Sequence, residues 1–181
     1  GIIAQFALEH FRRRKPRCSA VALCHFMTYL PDIQWGIVDY YGKKKTAFDY
    51  VVRAYQPLLP SLEVSKRRWR DGERLEAGIW VVNDHQRAHD GLTLGWKVLD
   101  PQGGVLEQGS KTVDVAADSS AKFHDLACTV QGKDTEFFTV EMTLVTEDGA
   151  VVAENFHTLS VGDQEQAKAH CLALHQQMEE E

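Results

Sequence analysis

A chain of 181 residues with 44% hydrophobic and 25% charged side chains has ordinary globular composition, which excludes a disordered or fibrous protein and leaves room for one domain or two. Its net charge of -6 argues against a polyphosphate binder, because nucleic-acid-binding chains carry a basic footprint. No run of eighteen apolar residues is present to cross a membrane as a helix, so neither nucleic acid nor membrane is an expected partner.

Four cysteines (Cys18, Cys24, Cys128, Cys171) form neither a C-x-x-C pair nor a dense framework, so reduced, mostly buried thiols are expected rather than a disulfide scaffold. The first residues lack the basic region, apolar run and cleavage site of a secretion signal. A start at Gly1 reads as a fragment of a longer chain, which leaves the compartment open.

Residues 2 to 14 place Ile3, Phe6, Ala7 and Phe11 at helical spacing, which predicts an amphipathic helix burying that stripe and leaving Glu9 on the solvated face. Arg12 to Lys15 then read as a solvated helix end, favoured by the helix dipole and stopped by Pro16. Ser19 to Phe26 is an apolar run without alternation, the pattern of a strand buried on both faces of a parallel sheet. A loop follows from Met27 to Ile33. The next stretch, QWGIVDYYGKKK from Gln34 to Lys45, reads as a turn feeding a helix, with Asp39 anchoring it. That helix carries Ala47, Phe48, Val51, Val52 and Tyr55 on one stripe and ends at Pro57 and Pro60. Residues 1 to 56 thus amount to one and a half α/β repeats, too little for a domain.

From Leu62 the pattern changes to short strands separated by turn signals: Ile79 to Asn83, Leu92 to Leu99, Val105 to Gln108, Lys111 to Val115, Ala121 to Leu126, Phe137 to Leu144 and Val151 to Val161. Leu92, Leu94, Trp96 and Val98 share one face, as do Phe138, Val140, Met142 and Leu144 on another strand. Seven or so short strands at this spacing predict an antiparallel β-sandwich. Asp163 and Gln166 then form a capping-box pattern before Ala167, Cys171, Leu174 and Met178, predicting a short terminal helix with an acidic tail.

Little of this carries chemistry by itself. His85 and His89 are four apart, but NDHQRAHDG reads as a turn between strands, so no metal or other cofactor is expected. Glycoside hydrolysis needs two carboxylates on different elements. Among Glu9, Asp32, Asp39 and Asp49, only Asp32, beside Pro31 in a strand-to-helix loop, is placed to face a barrel mouth.

One run carries a family likeness. Pro31-x-x-Gln34-Trp35-Gly36-Ile37-Val38-Asp39-Tyr40-Tyr41-Gly42-x-x-Lys45-x-Ala47, followed by Arg53-Ala54-Tyr55-x-Pro57-Leu58-Leu59, resembles the last segment of the catalytic barrel in family 2 glycoside hydrolases, the β-mannosidase and β-galactosidase group. The resemblance implies an α+β chain. Residues 1–58 would be the helix-strand-helix end of a (β/α)8 barrel, 62–161 an immunoglobulin-like sandwich bracing it, and 163–181 a terminal helix and tail.

The resemblance implies a retaining β-glycosidase acting on a carbohydrate substrate. Its acid/base and nucleophile glutamates belong to earlier barrel strands, so this chain contains no catalytic residue and is expected to be inactive alone. His25, Asp32 and Trp35 are the implied sugar contacts, with packing beneath the turn as the expected alternative for Trp35. One departure stands out: where the family usually has Trp-Gln-x-Asn-Asp, this chain has Cys24-His25-Phe26-Met27-Thr28. An incomplete barrel edge also invites self-association. The rival reading is a stand-alone module binding carbohydrate or protein on the sandwich, with Trp69 or Trp80 as stacking platforms and core burial as the expected place of Trp80.

Overall fold

The structure, a computed structural model, describes residues 1–31 and 35–163. Two helices, α1 (Ile2–Arg12) and α2 (Ala47–Ala54), precede eight strands: β1 (Leu58–Val64), β2 (Arg68–Trp69), β3 (Arg74–Asn83), β4 (His89–Leu99), β5 (Val105–Val115), β6 (Ser119–Thr129), β7 (Phe137–Val145) and β8 (Val151–Val161). The strands form two sheets, one ordered β1-β3-β6 and the other β2-β8-β7-β4-β5. All named pairings are antiparallel except β2 with β8.

Period-two alternation builds the core. Leu92, Leu94, Trp96 and Val98 face inward from β4 and Phe138, Val140, Met142 and Leu144 from β7, all buried, as expected of a sandwich. Leu62, Leu75, Ile79 and Val81 answer from the opposite sheet. Trp69 is also core, its ring edge-on to Phe138 at 5.6 Å, so it offers no stacking platform. Trp80 lies on the outward face, half-buried, and donates to Glu63 Oε2 at 2.8 Å, the reverse of the expected fates of these two rings.

Several strands differ from expectation, β3 starting at Arg74 rather than Ile79 among them, and three departures have a clear physical reason. The sandwich begins at Leu58 rather than Leu62, because β1 is an edge strand whose one ladder partner among the described residues is β3, and Pro60 is tolerated there. The two short strands expected at Val105 to Gln108 and Lys111 to Val115 are one continuous β5. Gly109 sits opposite Trp96, and a Cβ on it would stand 2.4 Å from Cζ2 of that ring, so this glycine marks a close approach and not a turn. The run Ser19 to Phe26 forms no strand and is largely exposed; the Val21 carbonyl accepts from the Tyr55 hydroxyl at 3.0 Å, the Phe26 carbonyl accepts the backbone N–H groups of Ile37 and Val38 at 3.0 Å, and a parallel bridge joins Met27 to Val38 just beyond it. A strand of this composition needs ladders on both edges and cover on both faces, and the described residues supply neither. The predicted terminal helix lies outside the described residues.

The first helix is turned around relative to its predicted face. Its period is as expected, but Gln5, Leu8, Glu9 and Arg12 are buried while Ile3 (76% exposed), Ala7 and Phe11 face outward. It lies along the open side of the sandwich between β1 and β8. Asn155 Nδ2 on β8 donates to the β1 carbonyl of Pro60 at 2.8 Å, so side chains bridge the seam where no ladder runs. A second small core of Leu8, Ile37, Val38, Val51 and Ala54 holds α1, the turn and α2 together.

Candidate functional site

Residues 1–57 carry two contrasting sets of side chains, one buried against the sandwich and one exposed. The inner face is polar and fully packed. Glu9, 0% exposed, accepts from Gln5 Nε2 (3.0 Å) and Asn155 Nδ2 (2.9 Å) on Oε1, and from Ser61 Oγ (2.6 Å) and His157 Nε2 (3.0 Å) on Oε2. Arg13 Nη1 reaches the same place, donating to Ser61 Oγ at 2.7 Å and to the Leu62 carbonyl at 3.0 Å. Burial alone would push the Glu9 carboxyl up. His157, by charge and by hydrogen bond, together with the Ser61 and Asn155 donors, outweighs it and lowers the group from 4.5 to about 2. Phe6 lies edge-on to the His157 ring at 4.8 Å and closes the cluster. A carboxylate with every lone pair engaged and no solvent access cannot attack or protonate a substrate, so Glu9 is a structural anion. Its expected place on a solvated helix face is corrected accordingly.

Next to it, the basic run is likewise not a solvated helix end. Buried Arg12 donates to the carbonyls of Ala54 and Gln56 (2.7 Å) and to Asp84 Oδ2 (2.8 Å). Lys15 pairs with both Asp84 (2.7 Å) and Asp118. Cations at the end of α1 therefore find carboxylates in the β3–β4 and β5–β6 turns, a non-local pairing that helical periodicity does not report.

The outer face is apolar and bare. Phe26, Met27, Tyr29, Leu30, Tyr40 and Tyr41 are all at least half exposed, and Trp35 is 89% exposed, so the expected packing of Trp35 beneath the turn does not occur. Behind them, Leu23, Phe26, Ile37, Phe48, Val52 and Tyr55 line an apolar hollow of about 460 Å3. The turn that displays Tyr40 and Tyr41 is pinned by a side chain. Asp39 Oδ1 accepts the backbone N–H of Tyr41 (2.9 Å) and of Lys43 (2.8 Å), and Gly42 takes φ 78°, which bears out Asp39 as the anchor.

Of the implied sugar contacts, His25 lies exposed in this region at φ 66°, a conformation uncommon outside glycine, with its ring stacked on Tyr29 at 6.3 Å. Trp35 belongs to the same exposed surface, and Asp32 lies outside the described residues. No distance brings His25 and Trp35 into contact. The surface can offer aromatic faces, and the described part of it carries no pair of carboxylates poised for acid/base work.

Comparison with known proteins places these observations. Residues 76–161 match the family described as Mannosidase Ig/CBM-like domain. Among solved structures, the exo-chitosanase CsxA of Amycolatopsis orientalis superposes with a TM-score of 0.71 at 20% identity, over 88% of this chain and 18% of that one. The β-D-mannosidase of Dictyoglomus thermophilum superposes with a TM-score of 0.61 at 23% identity, over 86% of this chain and 18% of that one. This chain therefore spans about a fifth of the length of the enzymes it matches. No curated protein matches its sequence. The match and the shared fold bear out the resemblance to the C-terminal part of family 2 glycoside hydrolases that the turn motif carried.

Proposed function

We propose that this chain, whose residues 76–161 match the Mannosidase Ig/CBM-like domain family, serves as the C-terminal portion of a retaining β-glycosidase in which the sandwich braces a catalytic barrel. The observation that carries the reading is the inverted helix α1. Its polar face is sealed against the sandwich by Glu9, Arg12 and Arg13, while its apolar residues Ile3, Ala7 and Phe11 are exposed, as are Phe26, Tyr29, Trp35 and Tyr41 in the chain between α1 and α2. Exposed apolar side chains in this number mark a contact with another body. Here that body is the remainder of the barrel, and the run Ser19 to Phe26 becomes a strand only when neighbours supply its ladders.

In this reading the sandwich acts through α1, and no step of bond cleavage uses a group of this chain. His25 and Trp35 stand at the mouth of the sugar site, where an aromatic face packs against the apolar face of a pyranose. The acid/base and nucleophile carboxylates lie on other barrel strands.

Incubating the chain with aryl β-glycosides such as p-nitrophenyl β-D-mannoside and β-D-glucosaminide tests this assignment. No release of p-nitrophenol above the blank is expected. Turnover abolished by substituting a carboxylate of this chain would overturn it. Saturable binding of soluble oligosaccharide by the chain, lost on Trp80→Ala and kept on Trp35→Ala, would favour the stand-alone module instead.

A further inference from the structure

The turn between β3 and β4 holds a contact that neither the sandwich core nor the exposed aromatic residues use. His85 and His89 are both half-buried, and Nδ1 of the first lies 2.8 Å from Nε2 of the second. Their ring centroids are 5.0 Å apart, which exceeds the nitrogen separation by little more than the two ring radii, so the nitrogens point straight at each other. This is an imidazole–imidazole hydrogen bond, one ring donating its N–H to the bare lone pair of the other. The turn it closes is braced from beneath. Buried Asn83 accepts the His85 backbone N–H at 2.9 Å and donates to the carbonyls of Arg87 (2.9 Å) and Ala116 (2.8 Å), while the Asp118 N–H donates to the His85 carbonyl at 2.9 Å. The same turn carries Asp84, which Arg12 on α1 and Lys15 just beyond it hold at 2.8 Å and 2.7 Å.

We propose that the His85–His89 bond is an acid-sensitive latch, closed while the pair is neutral or carries one added proton and opened by a second, so that acid loosens the turn that presents Asp84 to Arg12 and Lys15. The protons balance as follows. In the neutral pair one N–H and one lone pair lie between the rings. The first added proton settles on the outer nitrogen of the donating ring, and the bond survives in charge-assisted form. A second finds only the accepting nitrogen inside the bond; two N–H groups then face each other across 2.8 Å on two like charges, and the contact becomes repulsive. Neighbouring charges set the pH at which this happens. Burial, then the charge of His85 and of Arg87 in the turn, lower the His89 pKa from its ordinary 6.5, against Asp90. Facing the turn, Asp118 carries Lys15, Asp114 on β5 accepts the Gly91 N–H at 2.8 Å, and Glu147 after β7 borders Gly91. Because the folded value lies below the unfolded one, the closed turn is fully favoured above pH 6.5 and weakens as pH falls below it. This inference does not depend on the glycosidase reading.

Hydrogen–deuterium exchange of the whole chain tests the latch, read on peptides covering residues 83–91 and divided by the intrinsic pH dependence of exchange. His85→Phe and His89→Phe keep a ring but remove its nitrogens, and exposed His10→Gln is the control. Between pH 7.5 and 5.0 the wild type and the control should gain about fivefold or more in exchange over this turn. Both variants should exchange at pH 7.5 as fast as the wild type does at pH 5.0, and change little with pH. Imidazole 15N spectra give a second readout: the two wild-type rings should titrate in coupled steps, and the ring left in each variant in a single step. Circular dichroism at pH 7.5 checks that the variants keep the wild-type fold. Wild-type exchange that does not rise in acid, or a rise that both variants retain, would overturn the proposal, the latter because other groups then open the turn.

Discussion

The depressed Glu9 carboxyl makes a quantitative link between one buried side chain and the union of α1 with the sandwich. A carboxyl lowered from 4.5 to about 2 is an anion that the folded state stabilises; at about 1.4 kcal/mol per tenfold change in proton affinity, the drop corresponds to about 3 kcal/mol. The sign follows from the direction. Because the folded pKa lies below the unfolded one, this contribution is fully present above pH 4.5 and is lost as pH falls toward 2. Glu9→Gln keeps the shape and removes the charge that faces His157, Ser61 and Asn155. It is expected to lower stability at pH 7 by about 3 kcal/mol, the cost of breaking a buried charged cluster on one side. Urea unfolding at pH 7, 5, 4 and 3 measures both quantities. Between pH 5 and 3 the wild type should lose stability more steeply than Glu9→Gln, so that the two curves draw together at the acid end. Parallel curves would refute the claim that the Glu9 charge anchors the helix.

Other substitutions probe the remaining contacts. Arg12→Met keeps the apolar stem but strips the carbonyls of Ala54 and Gln56 of their donor, and is expected to destabilise by about 2–3 kcal/mol in the same assay; Arg12→Lys should recover only part of this, since one ammonium does not reproduce the forked geometry. Trp96→Ala, deleting a buried ring stacked on His124 at 4.0 Å, should cost about 3–5 kcal/mol by thermal or urea melt. Gly109→Ala drives a methyl into that ring and should cost about 1–3 kcal/mol, with little effect in a Trp96→Ala background where the obstruction is gone.

The sandwich was legible because its information is local. Alternation such as Leu92-x-Leu94-x-Trp96-x-Val98 states which side chains share a face, and a sheet with one buried face must honour it. What the alternation rule left out is instructive. β1 runs through Pro60, which reads as a break unless one knows that the strand lies at a sheet edge, and edge position is a property of the whole topology. Gly109 reads as punctuation unless one knows that Trp96 lies opposite, a pairing set by register between two strands.

Helix α1 shows the same limit in a form that bears on function. Its apolar stripe was read as the buried face because a surface helix has one core-facing side. The sequence also carries a narrow polar stripe, Gln5, Glu9 and Arg12, with apolar groups on most other sides. That pattern belongs to a helix covered on more than one side, its polar stripe buried only where partners exist to satisfy it. Those partners are Ser61, Asn155, His157 and Asp84, from about 50 to 150 residues away, and no window of helical length contains them. Once the polar stripe is assigned to the sandwich, Ile3, Ala7 and Phe11 are left exposed among the described residues. The sandwich grips α1 by its polar side so that Ile3, Ala7 and Phe11 are offered outward, and anything that loosens Glu9 should loosen the aromatic surface that carries His25 and Trp35 with it.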